Sequence, residues 1–358
     1  MLKRLYVRNF TVFAEADFAF SPGLNVIVGA NGTGKSHVLK LGYAVGVYLG
    51  KLAKPRTGQH SAEVEAFAVQ AGLMNSLQAV FQTTGLWALR RTGATTGPQV
   101  RAVYDEVAGE VDFDLSRSTA STSGVVVLTP PNLAEAPPAP LFIPAKEVLS
   151  FFAGFSTLYR KYNLAFDQTY LDLCEALSVP LLREPAPALQ PVMRSLEGLM
   201  GGQVRLEDGR FYLYPIRGGE RQEINLAAEG IRKIATLAQL IANGSLTAQT
   251  TLFWDEPEAN LNPALIKELA ALLLQLAKLG FQIILATHSL FLLKEFHILT
   301  QQQPGSIRYF GLSADASDAT QVATADELPL LPDIVALDAE LVQSDAFLSV
   351  LNADDAHV

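Results

Sequence analysis

Apolar positions recur along this chain with two different periods, and the change of period predicts where strands give way to helices. Residues 2–28 alternate as strands, and the run "GLNVIV" is typical of a buried strand. A helix is predicted from Lys35 to about Leu52. The alternating stretch "QVRLEDGRFYLYP" breaks at Asp208-Gly209, which indicates a β-hairpin.

The most regular part of the pattern lies between residues 225 and 298. "NLAAEGIRKIATLAQLIANG" carries its apolar residues on one helical face, whereas "TLFWDE" and "FQIILATHS" are apolar runs of strand length. Between these two runs, Asn262 is placed as a helix N-cap, Pro263 as the first helical residue and Gly280 as the stop. Strands and helices therefore alternate, which predicts an α/β protein.

The pattern changes between residues 54 and 200. A helical run, "SAEVEAFAVQAGLMNSLQAVF", is followed by a Ser/Thr/Gly-rich stretch and by the proline-rich "TPPNLAEAPPAP", which is typical of an exposed loop. "LFIPAKEVLSFFAGFSTLYRKY" then predicts a strand leading into a helix. These features predict a head formed by residues 1–53 and 201–358, with residues 54–200 as a largely helical insertion that serves as a lid or docking region.

Composition and charge narrow the class of protein. The 358 residues are 49% hydrophobic and 18% charged, and no apolar run approaches the roughly 20 residues that span a bilayer. The N-terminus has no continuous apolar segment of the kind a signal peptide needs. The one cysteine, Cys174, excludes an internal disulfide and a cysteine-rich metal site. These observations favour a globular, cytoplasmic protein without a membrane partner.

The net charge of −9 argues against a general basic field for binding DNA. A local basic patch stays open as a DNA or protein contact, and its candidates are Lys51, Lys54, Arg56, Arg90 and Arg91.

Candidate chemistry starts at "GANGTGKSH", which fits the pattern G-x-x-x-x-G-K-[ST] directly after a predicted strand. Glycines 29, 32 and 34 let the backbone turn and direct N–H groups at phosphate oxygens, and the following helix adds the positive end of its dipole. Lys35 is expected to reach the β- and γ-phosphates, and Ser36 to coordinate Mg²⁺.

A second group of polar residues ends the two apolar strands. Asp255 and Glu256 follow "TLFW", and His288 follows "FQIILAT". Ligands bind beyond the carboxyl ends of strands in open α/β sheets, so we expect these side chains at one edge. Asp255 is assigned to the Mg²⁺ shell, Glu256 to the base that polarises the attacking water, and His288 to a hydrogen bond with the γ-phosphate.

The order "GANGTGKS", "NLAAEGIRK", "LFWDEPEANLNP" and "ATHS" resembles the Walker A, signature, Walker B with D-loop, and switch-histidine order of ABC-type ATPases. With the N-terminal "LKRLYVRNF", it is similar to the RecF, SMC and OLD-like branch. This resemblance covers about residues 1–53 and 201–298. It implies a P-loop head with a mixed sheet, ATP and Mg²⁺ as ligands, and a homodimer that sandwiches ATP.

The resemblance also implies roles for particular residues. Glu229 and Gly230, at the start of the signature helix, would meet the γ-phosphate bound by the other protomer. The residues that would bind nucleotide within one protomer are Gly29, Asn31, Gly32, Thr33, Gly34, Lys35, Ser36 and His37.

Two positions depart from the family pattern. Ala228 stands where a signature serine is common, and Asn262 stands where histidine or aspartate precedes the family's proline; both bear on the rate of hydrolysis. Glu147 and Gln168 are alternative candidates for the Q-loop residue.

The resemblance implies an ATPase that dimerises on ATP and switches a partner effector or nucleic acid, as in bacterial anti-phage defence or toxin–antitoxin modules. The residues after His288 supply no clear Toprim metal site, so if the protein belongs to a nuclease system, the nuclease is expected on another chain. A RecF-like DNA-repair clamp is the alternative. A transporter subunit is disfavoured by the signature, and a coiled-coil ATPase by the absence of sustained heptads.

Overall fold

The computed structural model describes residues 1–52, 62–104, 110–115, 124–129, 138–162, 164–184, 186–302, 307–314, 319–332, 342–347 and 349–350. Three β-sheets and the helices α1–α8 form its main elements. The helices are α1 (Lys35–Leu52), α2 (Ala62–Phe81), α3 (Phe155–Lys161), α4 (Gln168–Leu177), α5 (Gln190–Met200), α6 (Glu229–Ala242), α7 (Pro263–Lys278) and α8 (Leu290–Gln302). The strands are β1 (Leu2–Phe10), β2 (Phe13–Ala19), β3 (Leu24–Gly29), β4 (Gln99–Tyr104), β5 (Glu110–Leu115), β6 (Val125–Thr129), β7 (Leu141–Ile143), β8 (Gly202–Glu207), β9 (Arg210–Pro215), β10 (Gln222–Glu223), β11 (Thr251–Asp255), β12 (Gln282–Thr287), β13 (Ile307–Ala314) and β14 (Thr320–Ala325).

The central sheet has six strands in the order β14-β13-β3-β12-β11-β7. All neighbouring pairs are parallel except β13 with β14, so the sheet is mixed. Every residue of β3 and β12 is buried. This agrees with their continuous apolar runs, because a parallel sheet is covered by helices on both faces. The predicted α/β fold with a mixed sheet is confirmed.

Alternate residues of the central strands belong to two hydrophobic cores. Trp254 packs in the core that contains α6 and α7, whereas its neighbour Phe253 packs in the core that contains α1. Helix α1 approaches β11 closely, since a Cβ on Gly42 would lie 2.9 Å from Cε1 of Phe253. The two-residue period of a strand thus holds α1 on one face of the sheet and α6 and α7 on the other.

The second sheet is antiparallel, in the order β2-β1-β4-β5-β6. Strands β4–β6 come from residues 54–200, and β7 from the same segment pairs with β11 of the central sheet. The segment also contains α2–α5. The strand predicted at "LFIPAKEV" corresponds to β7, whereas the expectation of a largely helical insertion did not include β4–β6. The alternation in "QVRAVY" and "EVDFDL", with buried residues at every second position, is the signal for two of them.

The third sheet is small and antiparallel, with the strand order β10-β9-β8. Glu207 pairs with Arg210 across the turn at Asp208-Gly209, so the predicted hairpin is confirmed. Both turn residues have positive φ, 49° and 76°, as a two-residue type I′ turn requires.

Among the described helices, none combines the length and the apolar character needed to cross a membrane.

Candidate functional site

A glycine-rich loop joins the end of β3 to the start of α1, as the sequence predicts. Gly32 and Gly34 have φ of 85° and 91°, which L side chains rarely adopt. At Gly34 an added Cβ would also lie 2.6 Å from Val12 and 2.8 Å from Phe13. The loop is therefore a tight turn that leads into a helix N-terminus, the usual geometry of an anion site.

Lys35 lies inside this loop and is 6% exposed. Its Nζ donates to the carbonyl oxygens of Gly29 at 2.8 Å and Ala30 at 3.0 Å. Burial lowers the pKa of Lys35, while the nearby charges of Glu256 and Asp255 raise it. The ammonium group is held by backbone oxygens at the position where the loop's N–H groups would meet phosphate.

Thr33 supports the loop, because its hydroxyl donates to the carbonyl of Ala30 at 2.8 Å. Asn31 is exposed at the tip. His37 lies away from the tip: its ring packs against Phe81 of α2, with 6.0 Å between ring centroids. Burial lowers the pKa of His37, and its Nδ1 has no hydrogen-bond partner among the described residues. A role for His37 in binding nucleotide stays a prediction.

Asp255 ends β11 beside the start of α1. The side chain of Ser36 lies beside it, and Oδ1 of Asp255 is buried without a hydrogen-bond partner among the described residues. Burial raises the pKa of Asp255, and the neighbouring Ser36 side chain lowers it. A hydroxyl next to an unsatisfied carboxylate oxygen fits Mg²⁺, which binds hard oxygen donors and fills its other positions with water and phosphate.

The described residues contain no cluster of three or more His, Cys, Asp and Glu side chains that could hold a metal by themselves. A metal at Ser36 and Asp255 would therefore share its coordination with a bound nucleotide.

Glu256 and His288 meet at the carboxyl ends of two neighbouring parallel strands. Asp255 of β11 pairs with Ala286 of β12, so the next residues along each strand emerge at the same edge. Nδ1 of His288 lies 3.3 Å from Oε1 of Glu256, and both side chains are partly exposed. The arrangement brings together a carboxylate that can accept a proton from water and an imidazole that can donate to a phosphate oxygen.

Glu229 and Gly230 lie elsewhere, at the start of α6. A Cβ on Gly230 would lie 2.8 Å from Leu261 and 3.2 Å from Leu265, so the helix packs closely on the loop after β11. Oε1 of Glu229 accepts a hydrogen bond from Asn260 at 2.7 Å. The N-cap, Ala228, makes no side-chain capping bond. Both residues therefore contact the loop of residues 256–262.

The two Q-loop candidates occupy different surroundings. Glu147 forms an ion pair with Arg232 of α6, with 2.8 Å between Oε1 and Nε. Gln168 starts α4 and donates to Asp172 at 2.7 Å. Its neighbour Asp167 forms an ion pair with Lys40 of α1, one turn after Ser36. Gln168 thus lies on a helix tied to α1, and the choice between the candidates stays open.

In the candidate basic patch, Arg90 contacts residues close to it in sequence. The Arg90 guanidinium lies 4.7 Å from the ring centroid of Trp87 and donates to the carbonyl of Ala94. Arg91 is half-buried, and Lys51 is exposed at the end of α1. Lys54 and Arg56 lie outside the described residues.

Sequence reasoning missed two buried charged residues beneath the site. Lys233 of α6 is 2% exposed and donates to the carbonyl of Glu256 at 3.2 Å. Glu258 is 6% exposed and accepts from the Thr287 hydroxyl at 2.6 Å. The available signal for Lys233 was its helical position: it falls next to Ile234 on the apolar side of α6, where a lysine is unusual.

The chain matches two models of known protein families. The model described as "AAA domain, putative AbiEii toxin, Type IV TA system" matches residues 154–294, and a second described as "AAA domain" matches residues 4–65. Curated relatives include the DNA replication and repair protein RecF of Edwardsiella ictaluri and of Escherichia coli K12, each 51% identical over 45 residues. That match spans 13% of this chain and 13% of each relative.

Two solved SMC head structures are similar to this chain. An Smc head bound to the C-winged helix domain of ScpA is 16% identical, with a TM-score of 0.55, and the match covers 92% of this chain and 98% of that one. The SMC head domain from Thermotoga maritima is 15% identical with a TM-score of 0.49, over 90% of this chain and 98% of that one. At 16% identity, the likeness to the ScpA-bound head concerns the fold alone.

Proposed function

We propose that this chain, an ABC-type ATPase of the RecF and SMC branch, binds ATP with Mg²⁺ and hydrolyses it in a site completed by a second copy of the chain. The observation that carries the proposal is the convergence at one sheet edge of the phosphate loop, the Ser36–Asp255 pair and the Glu256–His288 pair. In phosphoryl transfer, catalysis is mostly positioning and charge stabilisation, and this edge supplies both.

Each group has a separate task. The loop amides and Lys35 bind the phosphates, while Ser36 and Asp255 would hold Mg²⁺, which neutralises charge on the phosphates when bound. Glu256 accepts a proton from the attacking water, and His288 donates to the γ-phosphate oxygen.

The second copy supplies the start of its α6. Within their own protomer Glu229 and Gly230 contact the loop of residues 256–262, and the first turn of α6 has the free N–H groups that bind anions. In the proposed dimer this turn faces the γ-phosphate of the other protomer. ATP then holds the dimer together, and hydrolysis releases it.

A switch on a partner is the role that we propose for this cycle. The description of the family matched by residues 154–294 refers to a toxin–antitoxin system, which supports a defence or toxin–antitoxin module with a separate effector such as a nuclease. The names of the RecF relatives support the second candidate, a DNA-repair clamp that binds nucleic acid.

A pull-down from native lysate separates these two roles. The bait is the Glu256→Gln protein, with and without ATP, and with and without nuclease treatment. An ATP-dependent protein partner that survives nuclease supports the effector role, whereas nuclease-sensitive capture of DNA supports the clamp. Recovery of the bait alone under every condition would contradict a switch acting on either.

A further inference from the structure

A buried lysine lies next to the Glu256 backbone and has no part in the chemistry proposed for the site. Lys233 is in the second turn of α6 and donates to the Glu256 carbonyl at 3.2 Å. Burial lowers its pKa, and the charges of Glu258, Glu229, Glu256 and Glu147 raise it. A buried ammonium group is costly unless partners compensate it, so its place beside Glu256 needs an explanation.

The loop of residues 256–262 supplies that explanation. Two of its non-glycine residues, Glu256 and Asn260, have positive φ of 47° and 63°. This region is disfavoured for L residues and persists where surrounding contacts hold it. Glu256, the proposed base, has this positive φ. The direction of its side chain therefore depends on a backbone conformation that other contacts must stabilise.

Helix α6 contacts both of these residues. Lys233 donates to the Glu256 carbonyl, and Glu229 accepts from Asn260 at 2.7 Å. Between these two contacts, Gly230 packs against Leu261 so closely that a Cβ would lie 2.8 Å from it. Three successive contacts therefore fasten the loop to one helix.

We propose that Lys233 is a positioning residue that holds the backbone of Glu256 and thereby links the start of α6 to hydrolysis in the same protomer. The inference rests on the proposed function. In the dimer, ATP bound by one protomer contacts the start of α6 in the other. Through Lys233 that contact also fixes the position of the Glu256 carboxylate beside His288. Each bound ATP therefore supports hydrolysis of the ATP in the other site.

The test compares the steady-state kinetics of Lys233→Met with those of the wild type. Methionine fills a similar volume without the donor or the charge. The Glu256 carbonyl therefore loses its hydrogen bond from residue 233, while the phosphate loop stays intact. We expect kcat to fall about 10- to 100-fold, the range that a slightly misplaced catalytic group costs, with KM for ATP within twofold. The control is Lys267→Met, an exposed lysine on α7, with wild-type kcat.

A second variant covers the case in which Lys233→Met does not fold. Asn260 is exposed, so Asn260→Ala removes the other contact without opening the core; it should lower kcat in the same direction with KM unchanged. A wild-type kcat in either folded variant, or a parallel loss of ATP affinity, would overturn the positioning role. Absence of hydrolysis by the wild-type protein would instead contradict the proposed function itself.

Discussion

Replacing Lys35 with alanine is expected to abolish ATP binding. The Lys35 ammonium is the cation inside the phosphate loop, where the carbonyls of Gly29 and Ala30 hold it. The loop amides remain in the variant, but the charge-assisted hydrogen bonds to the phosphates are lost. At roughly 1.5–3 kcal/mol for each such bond, two bonds raise Kd by about 100-fold or more. Isothermal titration calorimetry with ATP and Mg²⁺ measures this change.

The same substitution should leave the nucleotide-free protein folded. Burial lowers the pKa of Lys35 because removing the ammonium group from water costs free energy, and alanine removes that cost. Lys51→Ala, at the exposed end of the same helix, is the matched control and should bind ATP as the wild type does. An unchanged Kd for Lys35→Ala would count decisively against this loop as the nucleotide site.

Replacing Glu256 with glutamine is expected to stop turnover while ATP and Mg²⁺ stay bound. The amide keeps the shape of the side chain but cannot take a proton from water. Loss of a general base costs about 10²- to 10⁴-fold in rate, and the proposed Mg²⁺ ligands, Ser36 and Asp255, are untouched. Phosphate release under single-turnover conditions measures the rate, and calorimetry the affinity.

Because release depends on hydrolysis, this variant should also accumulate as a dimer when ATP is added, which size-exclusion chromatography with light scattering detects. Glu268→Gln, an exposed carboxylate on α7, is the control and should hydrolyse ATP normally. Hydrolysis by Glu256→Gln at the wild-type rate would remove Glu256 from the role of base.

The sequence could predict the site's layout because its residues sit at the ends of strands. Two continuous apolar runs indicated buried parallel strands, and parallel strands place their carboxyl ends at one edge. The parallel pairing of β11 with β12 therefore puts Glu256 near His288, as the structure shows. The chemical role of each side chain stays a prediction that the variants above examine.

Other features depended on contacts between distant segments. Strands β4 and β5 alternate buried and charged or partly exposed positions, but β4 pairs with β1 across more than 90 residues, so their place in the second sheet depends on a distant segment. The position of Lys233 on the apolar side of α6 indicates burial, but the sequence pattern does not identify the group that the lysine contacts. Its donation to Glu256 is visible only once α6 is packed on the loop after β11.

The ATPase rate per protomer, measured across a wide range of protein concentration, tests the central claim most directly. If the start of α6 from a second copy completes each site, the rate per protomer should rise with concentration and reach a plateau once the dimer is saturated. A plateau reached only with both Mg²⁺ and intact Glu256 agrees with this account. A constant rate per protomer at all concentrations, or no Mg²⁺-dependent hydrolysis at any of them, would contradict it.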